Sequence, residues 1–155
     1  MIIGFASDHR GYKLKEDLKK ALKEKYELKD YGTDSDISTD YPDYAFKLGE
    51  AVRDKKVDYG VAICGSGIGI SIACNKVRGV RCAKVDNESD AEVTRIDNDS
   101  NIIAFSERIP LETALKMVEK FINTPCSTEE KHVRRRNKIK EYEERIWQEN
   151  FFFMF

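Results

Sequence analysis

The stretch Asp58-Tyr59-Gly60-Val61-Ala62-Ile63-Cys64, running straight into Gly65-Ser66-Gly67-Ile68-Gly69-Ile70, decides the fold of this chain. A short apolar run reads as a buried strand, and the glycines after it as a turn opening a helix that ends near Val77. The same strand-then-helix phrasing extends both ways. Upstream, Ile2 to Ala6 is an apolar run closed by Ser7-Asp8-His9, followed by Leu14, Leu18, Ala21 and Leu22 at helical spacing. Tyr26 to Tyr31 fits a second strand, and Pro42 sits at a helix start above the stripe Tyr44, Ala45, Leu48 and Val52. Downstream, Val80 to Val85 and Asn101 to Phe105 read as strands separated by a helix around residues 89–96. Leu111 to Ile122 is a further helix, and a long charged one runs from about Thr128 to Glu149. Such alternation builds a parallel sheet with helices on both faces, an α/β fold.

The 155 residues suffice for one domain and not for two. With 41% hydrophobic residues disorder is excluded, and 27 basic against 28 acidic residues exclude a general nucleic-acid coat. No run approaches the ~18 apolar residues of a membrane span. The N-terminus lacks a secretion signal, because Asp8-His9-Arg10 interrupts its apolar start. Cys64, Cys74, Cys82 and Cys126 have no CxxC spacing, so neither a zinc site nor a disulfide framework is indicated. A soluble, reduced, cytoplasmic domain is expected.

In parallel sheets ligands sit at the carboxyl ends of the strands. That rule gathers Ser7-Asp8-His9-Arg10, Cys64 to Gly69, Asp86-Asn87 and the region of Ser106-Glu107-Arg108. The glycine loop is neither a dinucleotide fingerprint, which would need glycine at Ile70, nor a P-loop, which would need a following lysine. Its free N–H groups suit an anion. Cys64, at a strand end facing a helix start, suits a base or nucleophile with its thiolate favoured. The other reading is a small buried hydrophobe, which fits Cys74, Cys82 and Cys126 better. The basic run Lys131-His132-Val133-Arg134-Arg135-Arg136 admits two readings. One is a solvated helix face with i,i+4 partners among the glutamates, and the other a phosphate clamp. Neither His9 nor His132 has a neighbour at metal-ligand spacing, so no metal is expected.

Five segments, taken together, resemble a known family. Ser7-Asp8-His9-Arg10-Gly11, Asp40-Tyr41-Pro42-Asp43-Tyr44, Ile63 to Gly69, Ala73-Cys74-Asn75-Lys76 and Asn98-Asp99-Ser100-Asn101 occur in the order seen in ribose-5-phosphate isomerase type B. The galactose-6-phosphate isomerase subunits share that superfamily, and the similarity runs from Met1 to about Ile139. The resemblance implies a Rossmann-like three-layer α/β/α sandwich with a five-stranded parallel sheet and a long C-terminal helix. It implies one domain over residues 1–155, with 140–155 as a helical extension and apolar tail. It further implies a homodimer, with a tetramer as the alternative, and no cofactor or metal, while the charge balance and short apolar runs already leave out nucleic acid and a membrane as partners. The implied substrate is a sugar phosphate, and the implied reaction interconverts ribose 5-phosphate and ribulose 5-phosphate in the non-oxidative pentose phosphate pathway.

By matching position, Cys64 is the base moving a proton between C2 and C1, since the glutamate of other branches is here Ile70. Ser66 handles the hydroxyl protons. The amides of Gly65, Ser66, Gly67 and Gly69, with Asn98, hold the enediolate. Asp8, His9 and Tyr41 line the sugar site, and Arg108, His132 and Arg135 lie near the phosphate, the last helix reaching the partner's site. Preorganised N–H donors are what charge building on oxygen requires.

Two departures stand out. The ring-opening histidine usual before the Asn-Asp pair is Asp97, so His9, His132 or Asp97 itself must serve, or the sugar differs. The arginine before the final-helix histidine is Lys131, a point charge without the guanidinium fork. An isomerase of a six-carbon or rarer aldose phosphate, and a catalytically impaired sugar-phosphate binding protein, are the alternatives. The tail Trp147 to Phe155 extends past the family's usual end, as a partner-packing segment or an exposed sticky end.

Overall fold

Five strands and six helices alternate along the chain in a computed structural model that describes residues 1–152. The strands are β1 (Ile2–Ser7), β2 (Glu27–Asp30), β3 (Tyr59–Cys64), β4 (Cys82–Lys84) and β5 (Ile102–Ser106). The helices are α1 (Tyr12–Leu22), α2 (Tyr41–Arg53), α3 (Ile68–Cys74), α4 (Glu88–Asn98), α5 (Leu111–Asn123) and α6 (Glu130–Phe152). All strand pairs are parallel, in the order β2-β1-β3-β5-β4.

Strand alternation decides which helix covers which face. Ile3, Phe5, Val61, Ile63, Ile103 and Phe105 point to one side and pack with Leu14 and Leu18 of α1, Ala91 of α4 and Met117 and Phe121 of α5. Ala6, Ala62, Cys64, Ile102 and Ala104 point to the other, against Ala45 and Leu48 of α2 and Ile70 and Cys74 of α3. The second face is built of small residues, so α2 and α3 lie close to the sheet. From β1 the chain moves outward to β2, then crosses β1 to reach β3. The ends of β1 and β3 are therefore the switch point where a crevice opens.

Several boundaries differ from the sequence expectation, three of them for a local reason. α3 stops at Cys74 because the Asn75 side chain pairs with the N–H and C=O of Cys82, both at 2.8 Å, like a short strand partner. β4 covers Cys82–Lys84, since this edge strand has only β5 beside it. α4 runs on through Asp97 and Asn98 and stops at Asp99, whose φ of 49° ends the helix. α6 continues to Phe152, and Phe153 to Phe155 of the expected apolar tail lie outside the described residues. No helix among the described residues is long and apolar enough to cross a membrane.

Candidate active site

Cys64 ends β3 on the side facing α2 and α3, and its residue is only 4% exposed. Its carbonyl accepts from the Glu107 amide at 2.9 Å, and Ser106 Oγ donates to the Gly65 carbonyl at 2.7 Å. β5 thereby fixes where the glycine loop departs. Gly67 takes a φ of 77°, and a Cβ there would lie 2.6 Å from the Phe105 backbone, so the position accepts only glycine. The turn aims the Gly67 amide at Cys64 Sγ, 3.2 Å away, a donor that a thiolate would accept from more strongly than a thiol. Ser66 Oγ accepts from the Ile68 amide at 3.1 Å. Those two amides are thus engaged inside the loop. Gly69 and Ile70, in the first turn of α3, carry N–H groups without a helical partner.

The rest of the carboxyl edge closes around this loop. Asp8 is buried, and its Oδ1 accepts from the amides of Arg10 and Gly11 at 3.0 and 3.1 Å, which shapes the β1 turn. His9 Nδ1 accepts from the Thr39 amide at 3.2 Å, so the neutral ring carries its proton on Nε2. Tyr41 lies flat enough on the loop that a Cβ on Gly69 would meet its Cζ at 2.6 Å. Arg10 reaches across to Glu107, with Nε 2.7 Å from Oε1, and passes beside Gly65. The Glu107 partner raises the Arg10 pKa. Ile70 is fully buried in the core and presents no polar group.

A second cluster lies at the opposite edge of the sheet. Asp97 and Asn98 end α4 and precede the amino end of β5, whereas Cys64 pairs with Ser106 at its carboxyl end. Four residue steps of β5 alone separate the two edges by about 13 Å. His132 is the one buried residue of α6 among those described, and its Nδ1 is 3.6 Å from Asp97 Oδ1. Arg136 Nη2 donates to the Ser127 carbonyl at 2.7 Å, and its Nη1 to the carbonyls of Ile96 and Asp97. Lys131 is exposed and paired with Glu129, and Arg135 is exposed with no bond to a described side chain. Arg134 pairs with Glu130, as expected of a solvated face.

One chain therefore brings Asp8, His9, Tyr41, Cys64, Gly65, Ser66, Gly67 and Gly69 together, with exposed Arg108 near the same edge. It brings Asp97, Asn98, Lys131, His132 and Arg135 together elsewhere. The sequence reading overlooked the Arg10–Glu107 bridge and the Arg136 tie. The bridge was open to inference, because both residues lie in the loops just after strands that end on the carboxyl edge. Among the described residues no group of three or more His, Cys, Asp or Glu could hold a metal ion.

The sequence profile of the Ribose/Galactose Isomerase family matches residues 3–139. The chain is 41% identical over 122 residues to ribose-5-phosphate isomerase B of Escherichia coli, covering 77% of this chain and 82% of that protein. Ribose-5-phosphate isomerase B of Clostridium thermocellum superposes with a TM-score of 0.90 at 42% identity, over 94% of this chain and 99% of the other. The Mycoplasma genitalium enzyme, solved with bound ribulose-5-phosphate, gives 0.85 at 35% identity, over 92% and 96%. A shared fold and this span of identity have one reading: the chain belongs to the ribose/galactose isomerase family and is a sugar-phosphate isomerase.

Proposed function

We propose that this isomerase interconverts ribose 5-phosphate and ribulose 5-phosphate through an enediolate, with Cys64 as the base. The observation that carries the reading is the Cys64 thiol seated on the Gly67 amide, in a loop bordered by Tyr41 at Gly69 and Arg10 at Gly65. The Cys64 thiolate removes the C2 proton of the open-chain aldose and returns it to C1. Ser66 passes a proton between the two substrate oxygens. The free amides of Gly69 and Ile70 are the donors for the charge that builds on them, which is narrower than a role for the whole loop. Arg108, Lys131 and Arg135 hold the phosphate, with His132 beside it, and the remote binding energy of the phosphate is available to the reacting end.

The two clusters lie at opposite edges of one sheet, so a single copy does not complete this site. In the proposed enzyme a second copy supplies Asn98 and the start of α6 to the Cys64 loop, in a two-fold dimer with two composite sites. The exposed apolar side chains Ile139, Tyr142, Ile146 and Trp147 on α6 support such pairing.

Replacement of Cys64 by alanine tests the base. Ketose formation from ribose 5-phosphate should fall to background while substrate binding persists, and full isomerisation by the variant overturns the assignment. Asp97 in place of histidine favours one second reading, a six-carbon aldose phosphate as the preferred substrate. A panel of five- and six-carbon aldose phosphates, read by ketose appearance, separates the two.

A further inference from the structure

We infer that His132, oriented by Asp97, opens the sugar ring, so that the histidine chemistry of this site resides on α6. The inference rests on the isomerase reading above. The observation behind it is the juxtaposition of His132 Nδ1 and Asp97 Oδ1 at 3.6 Å, where α6 crosses the end of α4. A small side-chain rotation brings this pair into hydrogen-bond range. A carboxylate on Nδ1 fixes the tautomer and leaves Nε2 as the working nitrogen.

The surroundings hold the pair in register. The His132 amide donates to the Glu129 carbonyl at 3.0 Å, and Arg136 and Ser127 bind the last carbonyls of α4. The charged groups beside it are Asp97 on α4 and Glu129, Lys131 and Arg136 on or before α6. Asp97 alone is poorly suited to the task, because its side chain is 40% exposed and its oxygen faces the His132 ring. His9 is poorly suited as well: its Nδ1 accepts the Thr39 amide and has no carboxylate to support a positive ring.

In the step, the imidazolium passes its Nε2 proton to the furanose ring oxygen as the C1–O bond to that oxygen breaks. The electron pair of the C1 hydroxyl forms the carbonyl, and the hydroxyl proton leaves to water. Water then reprotonates the imidazole, so protons and electrons balance.

Ribulose 5-phosphate has its terminal hydroxyl esterified and cannot close a ring, so its C1 proton exchange in deuterium oxide reports enolisation without ring opening. For His132→Gln, kcat on ribose 5-phosphate should fall about a hundredfold. Exchange into saturating ribulose 5-phosphate should stay within about twofold of wild type, because general acid catalysis of ring opening is not used there. Asp97→Asn should show the same split with a smaller loss, which guards against a folding defect in the first variant. Asp97→His in the His132→Gln background should recover turnover of the cyclic sugar. Unchanged turnover, or equal losses in both assays, overturns the inference. Failure of the base assignment reads differently: Cys64→Ala would then retain exchange, whatever His132 does.

Discussion

Replacing Asp30 by asparagine removes one charge from a buried network and should destabilise the protein measurably. The Lys15 side chain is 0% exposed and its ammonium is shared between Asp30 and Glu16. Lys19 also reaches Asp30, at 2.6 Å, and the Gly32 amide donates to its other oxygen at 2.8 Å. Breaking a fully buried pair costs about 3–5 kcal/mol, because the surviving charge is left uncompensated. Here Asp30 is 25% exposed and Glu16 still meets Lys15, so about half of that, ~2 kcal/mol, is expected. For a domain of this size that is a fall in Tm of about 4–8 °C. The pH dependence has a definite sign. Burial alone would raise the Asp30 pKa, but hydrogen bonds from Lys15, Lys19 and Gly32 outweigh it and hold the carboxyl below its ordinary value. A depressed folded-state pKa stabilises above the unfolded value of about 4, and the contribution is lost as pH falls through the folded value. Thermal melts of wild type and Asp30→Asn at pH 7 and at decreasing acidic pH should show a full gap at neutrality that closes below about pH 4. A gap under about 1 °C at pH 7, or one that survives at the acid end, would refute the reasoning. Lys15→Met, which leaves Asp30 paired with Lys19, should cost under about 1 kcal/mol.

Three further outcomes are expected. Gly67→Ala, which meets the Phe105 backbone in a left-handed conformation, should abolish turnover and lower stability by about 1–3 kcal/mol, whereas Gly65→Ala, with its nearest neighbour Arg10 at 3.7 Å, should melt close to wild type. Gly69→Ala displaces the Tyr41 ring and should raise KM more than it lowers kcat, read from saturation curves; an unchanged KM would remove Tyr41 from the sugar site. Equal amounts of Cys64→Ala and Arg135→Ala, unfolded and refolded together, should regain about a quarter of wild-type activity, because in the proposed two-fold dimer half the pairs would be mixed and each would hold one intact site. No recovery would place both groups in the same copy.

The alternation of Ile2–Ser7, α1 and β2 was legible because each run is short, apolar and closed by a polar turn. Cys64 and its loop were legible for the same reason: a strand end meeting a helix start leaves few arrangements. The positions of Asp97 and Asn98 were less so. The family resemblance alone groups them with Cys64, and residues between a helix and the next strand belong to the amino edge of a sheet. The rule that collects the carboxyl-edge loops therefore leaves them out. Asn75 shortening α3 was not legible, because the partner backbone of Cys82 arrives only through tertiary packing. The same holds for Lys15, whose buried ammonium sits among charged neighbours that sequence alone would place in water.

The strand order has a consequence for how the chain comes together. β5 is the last strand made, yet it lies between β3 and β4, and β4 has no other neighbour. During synthesis β1, β2 and β3 can assemble early, while β4 waits as an unpaired segment for residues 102–106 to appear. The Glu107 amide and the Ser106 hydroxyl that set the Cys64 loop come with that same strand. The loop thus acquires its shape only when the sheet closes, and a nascent chain lacking β5 has a cysteine but no organised site around it.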